Sequence, residues 1–357
     1  SADFRRHSVA CFIEPVLRHH HRGQVHVTCY FSGNRPDAVS ERLKILADEW
    51  RDIGGIADEA AARMIGEDRI DILVDLSGHT DGNRLLLFAL RPARVLVTWL
   101  GYPNTTGLKA MDYRLTDDWA DPPGSGGDLY GEELVRLEGG FLCYAPPDDA
   151  PEPAWTPPGE GGRPFTFGSC NNLAKVTPRV IETWAAILAA RPDARLLLKA
   201  KALGDDGTVM RVAEMFEGHG IDGRRIRMRG WITDKSHLAV YDLIDVALDT
   251  FPYAGTTTTC EALWMGAPVV SLAGDRHAGR VGVSLINQAG LSGFAADLIA
   301  ETRPDYAARA LALAADPARL AARRREIRAK MAASPLMDGS AFSRRLEAAY
   351  RRLDAAR

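Results

Sequence analysis

The segment 248–266 carries the densest set of groups that could bind an anionic ligand. It reads Leu-Asp-Thr-Phe-Pro-Tyr-Ala-Gly-Thr-Thr-Thr-Thr-Cys-Glu-Ala-Leu-Trp-Met-Gly, which predicts a strand end, a loop through Gly255 and a helix that begins within 256–259. Threonine hydroxyls and free N–H groups converge at such a helix N-terminus, where the helix dipole favours a diphosphate. Glu261, just inside the helix, could accept hydrogen bonds from a ribose diol. The alternative is that the threonines only cap the helix, although four in succession exceed what one cap needs.

Lys175 lies in a second pattern of strand end, loop and helix start, in the segment 166–178. Departure of a nucleoside diphosphate builds negative charge on oxygen, and a preorganised ammonium stabilises that charge. We therefore place Lys175 beside the leaving phosphate. The alternative is a solvated lysine that merely precedes a helix.

Asp3 and His7 are four residues apart in the opening segment Ser-Ala-Asp-Phe-Arg-Arg-His-Ser-Val. An acceptor hydroxyl that attacks an anomeric carbon must lose its proton, and histidine or aspartate can remove it near neutral pH. These two residues are candidates for that step, with an ordinary surface pair as the alternative. Smaller signals are the Gly/Pro turn 100–107, and His237 at a predicted helix start, which could contact a base or ribose. The run 19–21 of histidines lacks zinc-ligand spacing and is interpreted as a loop.

Short β-branched runs alternate with longer helical patterns along most of the chain, which favours a doubly wound α/β architecture. Several runs are continuously apolar, as expected of parallel strands covered on both faces. The predicted strands are 25–30, 70–76, 95–100, 165–168, 195–199, 246–249 and 269–272. The predicted helices include 41–50, 179–190, 209–217, 316–330 and 341–353.

The stretch 144–163 is dense in proline and glycine and cannot hold a helix or a central strand. We place a domain boundary in it, which gives domains at 1–150 and 151–335 and a final helix at 336–357 that could cross back to the first domain. A doubly wound domain usually begins with a buried strand, whereas the first four residues read as the turn after one. We therefore expect the first domain to lack its first strand.

Composition excludes several classes of protein. The 357 residues carry a net charge of −3, which gives no reason to expect nucleic acid or an anionic membrane as partner. The five cysteines are scattered without a Cys-x-x-Cys pair, which favours reduced thiols and a cytoplasmic setting. The dinucleotide, P-loop and hydrolase signatures are missing, and so is the Asp-x-Asp pair that many sugar transferases use to hold a metal.

Taken in order, these motifs resemble the catalytic region of the O-GlcNAc transferase and SPINDLY family. The resemblance covers nearly the whole chain and rests on the segments 3–7, 70–79, 100–107, 171–175, 248–261 and 266–268. It implies the GT-B fold, in which two doubly wound Rossmann-like domains face each other across a cleft. It also implies an inverting transfer of one sugar from a nucleotide-sugar to Ser or Thr of protein acceptors, with no metal and no further cofactor.

The resemblance implies three sets of site residues. The catalytic set is Asp3 and His7, which activate or position the acceptor, and Lys175, which stabilises the leaving diphosphate. The donor-binding set is Asn172, His237, Gly255, Thr256, Thr257, Thr258 and Glu261. The turn that lines the sugar and acceptor contributes Leu100, Gly101 and Pro103.

The motifs leave the donor open. His7-Ser-Val, Thr256 and Glu261 differ from the His-Pro-Thr, His and Asp that are common in O-GlcNAc transferases, and look closer to the SPINDLY branch, whose plant members use GDP-fucose. UDP-GlcNAc and GDP-fucose are both expected donors, and the resemblance implies tetratricopeptide repeats upstream in the full-length protein. A GT-B transferase for small-molecule or glycan acceptors and a non-catalytic nucleotide-sugar-binding scaffold are the alternatives.

Overall fold

The computed structural model describes residues 1–125, 129–231 and 237–356. Over these residues the strands are, in chain order, β1 (Thr28–Phe31), β2 (Glu49–Asp52), β3 (Ile72–Asp75), β4 (Val95–Thr98), β5 (Tyr113–Thr116), β6 (Glu133–Arg136), β7 (Thr166–Ser169), β8 (Arg195–Lys199), β9 (Ile226–Arg229), β10 (Val246–Leu248), β11 (Val269–Leu272) and β12 (Ile299–Ala300). The helices are α1 (Ser8–His19), α2 (Ala38–Leu46), α3 (Asp58–Glu67), α4 (Leu85–Ala89), α5 (Pro178–Ala190), α6 (Asp206–Glu217), α7 (Thr257–Trp264), α8 (His277–Gln288), α9 (Ala295–Leu298), α10 (Arg303–Ala315), α11 (Pro317–Ala332) and α12 (Gly339–Ala355). Within the described ranges, no helix has both the length and the apolar character to cross a membrane.

The chain divides into two compact units. The first comprises Ser1–Ala145 and Pro335–Arg357, so the last helix, α12, belongs to it. The second comprises Pro146–Ser334. The break between them falls inside the proline- and glycine-rich stretch 144–163.

The second unit is built on one parallel sheet with the strand order β12-β11-β10-β7-β8-β9. The chain runs from β7 outward through β8 to β9, returns to β10 beside β7, and then runs outward to β12. All four residues of β7 are buried, as expected of a central strand that is covered on both faces. The sheet is therefore doubly wound, as the sequence predicts.

The first unit contains two groups of parallel strands. β1 pairs with β2, and a separate sheet has the order β3-β4-β5-β6. Leu73 and Leu96 lie in the buried core that β3 and β4 share with α3 and α4, together with Ile65 and Phe88. The α/β class predicted from sequence is thus confirmed for both units.

The predicted helix 41–50 is wrong at its C-terminal end. α2 ends at Leu46, and residues Glu49–Asp52 form β2, which pairs in parallel with β1. Trp50 packs at 5.6 Å from the ring of Phe4 and 5.8 Å from that of Phe31, so tertiary packing overrides the local helical pattern. The histidine run is also not wholly a loop, because His19 is the last residue of α1.

Candidate active site

The two segments that carry the predicted diphosphate and leaving-group residues meet in the second unit. One follows β7 and the other follows β10, and these strands are neighbours, with Val246 opposite Phe167. The chain leaves β7 toward one edge of the sheet and leaves β10 toward the other. Loops that diverge in this way open a crevice at the carboxyl ends of the strands, where ligands of doubly wound sheets bind.

Hydrogen bonds join the two loops across this crevice. Thr258 Oγ1 donates to Asn171 Oδ1 at 2.6 Å, and Asn171 Nδ2 donates to Asp249 Oδ1 at 3.3 Å. Lys175 Nζ donates to the carbonyl of Ala254 at 2.8 Å. The structure therefore brings Lys175 to the loop that leads into α7.

The side chain of Thr256 does not cap the N-terminus of α7. Thr256 holds the capping position, but its hydroxyl makes no capping hydrogen bond, and the hydroxyl of Thr258 is directed to Asn171. Gly255 precedes them in a crowded place, because a Cβ there would lie 2.6 Å from Thr258 Oγ1 and 2.8 Å from Asn171 Oδ1. The backbone N–H groups of this turn can thus serve an anion, as a helix N-terminus does in phosphate sites. The alternative interpretation, in which the threonines only cap the helix, therefore does not hold for Thr256.

Lys175 is held in a partly desolvated position. Its ammonium nitrogen lies 3.6 Å from the ring centroid of Tyr253, and burial lowers the pKa of Lys175 to about 8, while the charge of Asp249 opposes that shift. A cation in such surroundings interacts with a developing phosphate charge more strongly than one in bulk water.

Asp249 organises the loop and was not predicted as a site residue. It is 1% exposed and accepts hydrogen bonds from the N–H of Gly255 at 2.7 Å, the N–H of Thr250 at 2.8 Å and Ser271 Oγ at 2.7 Å. Burial raises the pKa of Asp249, and these hydrogen bonds and the charge of Lys175 act against that rise. The sequence does contain a signal for this role, because Asp249 directly follows a predicted buried strand at the start of the segment 248–266.

Of the two adjacent asparagines, Asn171 and not the predicted Asn172 contacts the loop that leads into α7. Asn172, the predicted donor-binding residue, is exposed, and its Oδ1 accepts from the N–H of Ala174 at 3.0 Å, which caps the short 3-10 helix Leu173–Lys175. Asn171 is buried and makes the contacts to Thr258 and Asp249. The role of Asn172 in binding a donor stays a prediction.

Glu261 and His237 lie together near the first turn of α7. Glu261 Oε1 is 3.4 Å from His237 Nε2, and Glu261 Oε2 accepts from the hydroxyl of Tyr241 at 3.1 Å. Burial raises the pKa of Tyr241 well above its ordinary value, so this hydroxyl stays a neutral donor. The structure thus orients one carboxylate oxygen through Tyr241, which the sequence analysis did not single out.

In the first unit, Asp3 and His7 come together at the start of α1. His7 precedes the helix, and its Nδ1 accepts from the N–H of Val9 at 3.3 Å and lies 3.7 Å from Asp3 Oδ2. Burial lowers the pKa of His7, although the charge of Asp3 opposes the shift. Because Nδ1 accepts a hydrogen bond, the neutral ring carries its proton on Nε2 and presents a donor there.

The turn that contains Leu100, Gly101 and Pro103 is tightly built. Leu100 has a positive φ of 72°, and a Cβ on Gly101 would lie 1.9 Å from the carbonyl oxygen of Leu76, so only glycine fits. The buried Arg114 donates from Nη1 to the carbonyls of Tyr102 at 3.1 Å and Asn104 at 2.5 Å. Arg114 was missed by the sequence analysis because an arginine inside a short strand gives no apolar signal.

Comparison with known proteins decides the family. The model of glycosyl transferase family 41 matches residues 1–144 and 163–346. The chain belongs to glycosyl transferase family 41. The predicted resemblance to the O-GlcNAc transferase and SPINDLY family is thereby confirmed.

Family 41 relatives are similar over almost all of this chain. A SPINDLY protein of Hordeum vulgare, named as a probable UDP-N-acetylglucosamine–peptide N-acetylglucosaminyltransferase, is 45% identical over 98% of the chain and 37% of its own length. The SEC protein of Arabidopsis thaliana, named in the same way, is 32% identical over 98% of the chain and 36% of its own length. The chain thus spans a little over a third of the length of these curated relatives.

Solved structures agree with the fold. An O-GlcNAc transferase mutant of Thermobaculum terrenum has a TM-score of 0.92 and 43% identity, covering 99% of this chain and 66% of that one. Anabaena HepE in complex with UDP and glucose has a TM-score of 0.61 at 11% identity, over 99% of this chain and 98% of that one, a likeness of fold alone. The predicted GT-B class of this family 41 chain is confirmed.

Proposed function

We propose that this chain transfers a single sugar from a nucleotide-sugar to Ser or Thr side chains of proteins. The observation that carries the proposal is the crevice of the second unit, in which the Lys175 ammonium and the uncapped N-terminus of α7 are tied to the same loop. Both groups favour a leaving diphosphate. The names of the SPINDLY and SEC relatives, which specify transfer from UDP-N-acetylglucosamine to peptide, support the same reaction class.

The proposed reaction is one displacement. The acceptor oxygen attacks the anomeric carbon, the bond from that carbon to the diphosphate breaks, and the nucleoside diphosphate leaves with the electron pair. A single displacement inverts the anomeric centre. Lys175 and the α7 amides meet the charge that forms, so the chemistry proposed here needs no metal and no cofactor besides the donor.

Asp3 and His7 are assigned to the acceptor hydroxyl. Since His7 presents Nε2–H as a donor while Nδ1 is held by Val9, we assign His7 to positioning the acceptor oxygen. The Asp3 carboxylate is then the member of the pair that can accept a proton. Glu261, oriented by Tyr241, is assigned to the ribose of the donor, with His237 beside the base.

Calorimetric titration with UDP, GDP, UDP-GlcNAc and GDP-fucose tests the donor. Preference for the uridine pair assigns UDP-GlcNAc, preference for the guanosine pair assigns GDP-fucose, and binding of none of the four contradicts the proposal. The matching transfer assay offers a protein acceptor and a soluble sugar side by side. Sugar found only on the soluble acceptor would favour the small-molecule or glycan alternative, and nucleotide binding with neither transfer nor hydrolysis would favour the scaffold.

A further inference from the structure

An exposed histidine of the first unit, His79, is held in one orientation. It follows the carboxyl end of β3, and its Nε2 lies 2.8 Å from the carbonyl oxygen of Thr106. Its ring also meets the ring of Tyr102 edge-on, with 5.3 Å between the centroids and 76° between the planes. An exposed side chain ordinarily keeps its rotamer freedom, and His79 has given that freedom up.

The contact with Thr106 fixes which nitrogen of His79 carries the proton. A carbonyl oxygen can only accept, so Nε2 of His79 is the donor, and in the neutral ring Nδ1 keeps an unshared electron pair. Among the residues that the structure describes, none forms a hydrogen bond with this Nδ1. His79 therefore offers an unused acceptor on an exposed and oriented ring.

The two turns that carry His79 and Tyr102 are locked together. A Cβ on Gly78 would lie 2.2 Å from the Cβ of Tyr102, and one on Gly101 would lie 1.9 Å from the carbonyl oxygen of Leu76, so each turn approaches the other at a glycine. The buried Asp75 also accepts from the N–H of Gly78 at 2.9 Å. The ring of His79 thus stands on a rigid base.

The buried Glu132 fixes the carbonyl to which His79 donates. Its Oε1 accepts from the N–H and the hydroxyl of Thr106, and its Oε2 accepts from Thr105 Oγ1 at 2.7 Å. Thr105 Oγ1 in turn accepts from the N–H of Gly107 at 2.9 Å. That N–H shares a peptide group with the carbonyl of Thr106, and such chains of hydrogen bonds polarise one another. The tie to His79 is therefore both positioned and strengthened from the core.

The place of His79 in the fold is one where ligands bind. β3 and β4 are parallel neighbours, and both locked turns follow their carboxyl ends, the edge at which open α/β sheets bind ligands. The opening segment reaches the same edge, because a Cβ on Gly82 would lie 2.8 Å from the Cβ of Ala2, directly before Asp3. His79 therefore shares this edge with the residues assigned to the acceptor.

We propose that His79 binds, through Nδ1, a hydroxyl group of the sugar or of the protein acceptor. This inference rests on the proposed function, whose two substrates both bring hydroxyl donors to the site. A histidine that only tied the two turns together would need Nε2 alone. The exposed ring, the fixed proton on Nε2 and the unused Nδ1 together favour a ligand.

Two variants separate the nitrogens of His79. In His79→Gln the amide nitrogen can still donate to the carbonyl of Thr106, but no atom takes the place of Nδ1. In His79→Asn the shorter side chain places an amide oxygen near the position of Nδ1 and leaves Thr106 without its donor. His26→Gln, at another exposed histidine of the same unit, is the matched control. Initial rates of transfer are measured with donor and protein acceptor varied in turn, and calorimetry gives the affinity for UDP and GDP, which carry no sugar.

His79→Gln is expected to raise the KM of one substrate about five- to tenfold, the scale of one hydrogen bond. His79→Asn should raise it less, and His26→Gln should leave both KM values unchanged. An increase in the donor KM assigns the hydroxyl to the sugar, and an increase in the acceptor KM assigns it to the protein. The affinity for UDP and GDP should stay the same in all variants.

Unchanged KM values in His79→Gln, in an assay where the unaltered chain transfers sugar, would overturn the inference and leave the proposed function standing. Equal increases in His79→Gln and His79→Asn would also overturn it, because Nδ1 would then not be the binding atom. Weaker binding of UDP or GDP in either variant would show general damage and count against it. If the unaltered chain transfers no sugar, the proposed function fails and the inference falls with it.

Discussion

Replacement of Lys175 by alanine should lower the turnover of sugar transfer by about 10²–10³, the loss seen when one preorganised transition-state contact is removed. An ammonium roughly 4 Å from a phosphate oxygen contributes about 4 kcal/mol at the effective dielectric of a protein surface, which corresponds to about three powers of ten. The Lys175 nitrogen is fixed for this contact by the Ala254 carbonyl at 2.8 Å. The assay is the initial rate of transfer of labelled sugar to a protein acceptor at saturating donor.

Two further variants separate charge from packing. Lys175→Met keeps an aliphatic stem of similar length against the Tyr253 ring, which lies 3.6 Å from the native nitrogen, and should lose as much turnover as Lys175→Ala. Lys201→Ala removes an exposed lysine of the same unit and should retain the native rate. Near-native turnover of Lys175→Met would refute the electrostatic reasoning, and an equal loss in Lys201→Ala would point to general damage.

The pH dependence gives the same prediction a second readout. Burial lowers the pKa of Lys175 to about 8, and the protonated form is the one proposed to act, so kcat/KM should fall as the pH rises through about 8. An ordinary lysine would hold the rate until about pH 10. The fall should disappear from the residual activity of Lys175→Met, and a profile that is unchanged in that variant would mean that another group titrates.

Three other perturbations test the crevice. Gly255→Ala should weaken UDP or GDP binding at least tenfold by calorimetry, because its Cβ would lie 2.6 Å from Thr258 Oγ1, whereas Gly204→Ala, with open space around it, should bind normally; equal affinities would contradict the close fit. Asp249→Asn should lower the free energy of unfolding by about 1–3 kcal/mol in a urea titration, because the carboxylate that accepts from Gly255 and Ser271 is replaced by an amide with one acceptor; an unchanged midpoint would remove its organising role. EDTA should leave transfer unaffected, and a strict need for Mg²⁺ or Mn²⁺ would show that Lys175 and α7 do not meet the diphosphate charge alone.

Strands that are buried on both faces were the most predictable part of the fold. β8 and β11 have the predicted bounds, since continuous apolar runs leave no competing pattern. The sequence pattern did not predict β5 or β9, and the two strands were missed for different reasons. β5 carries the buried Arg114, which interrupts the apolar signal, and β9 is an edge strand whose Ile-Arg-Met-Arg alternation is too short to stand out.

The candidate site was predictable only to the level of its segments. Lys175 and Gly255 could be placed because each follows a strand end in a parallel sheet. The choice between Asn171 and Asn172 could not be made, since adjacent residues of one type differ only in which way the folded loop turns them. The hydrogen bonds of Asp249 depend on the pairing of β10 with β7 and β11, which the residue pattern does not specify.

Equivalent places in the two units carry different chemistry, and this difference supports the assignment of roles. Each unit uses a buried aspartate, Asp75 or Asp249, to hold the backbone N–H groups of a loop, Ser77 in the first unit and Gly255 in the second. The loops that lead into α1 and α5 are not alike. The second unit supplies Lys175, a cation whose proton suits it to a leaving phosphate, while the first supplies Asp3 and His7, a carboxylate and an imidazole that can take part in proton transfer. The first unit also carries a cation, because Arg5 lies 3.6 Å from Asp3, so the proposed division of roles rests on the carboxylate and imidazole of Asp3 and His7 and not on charge alone.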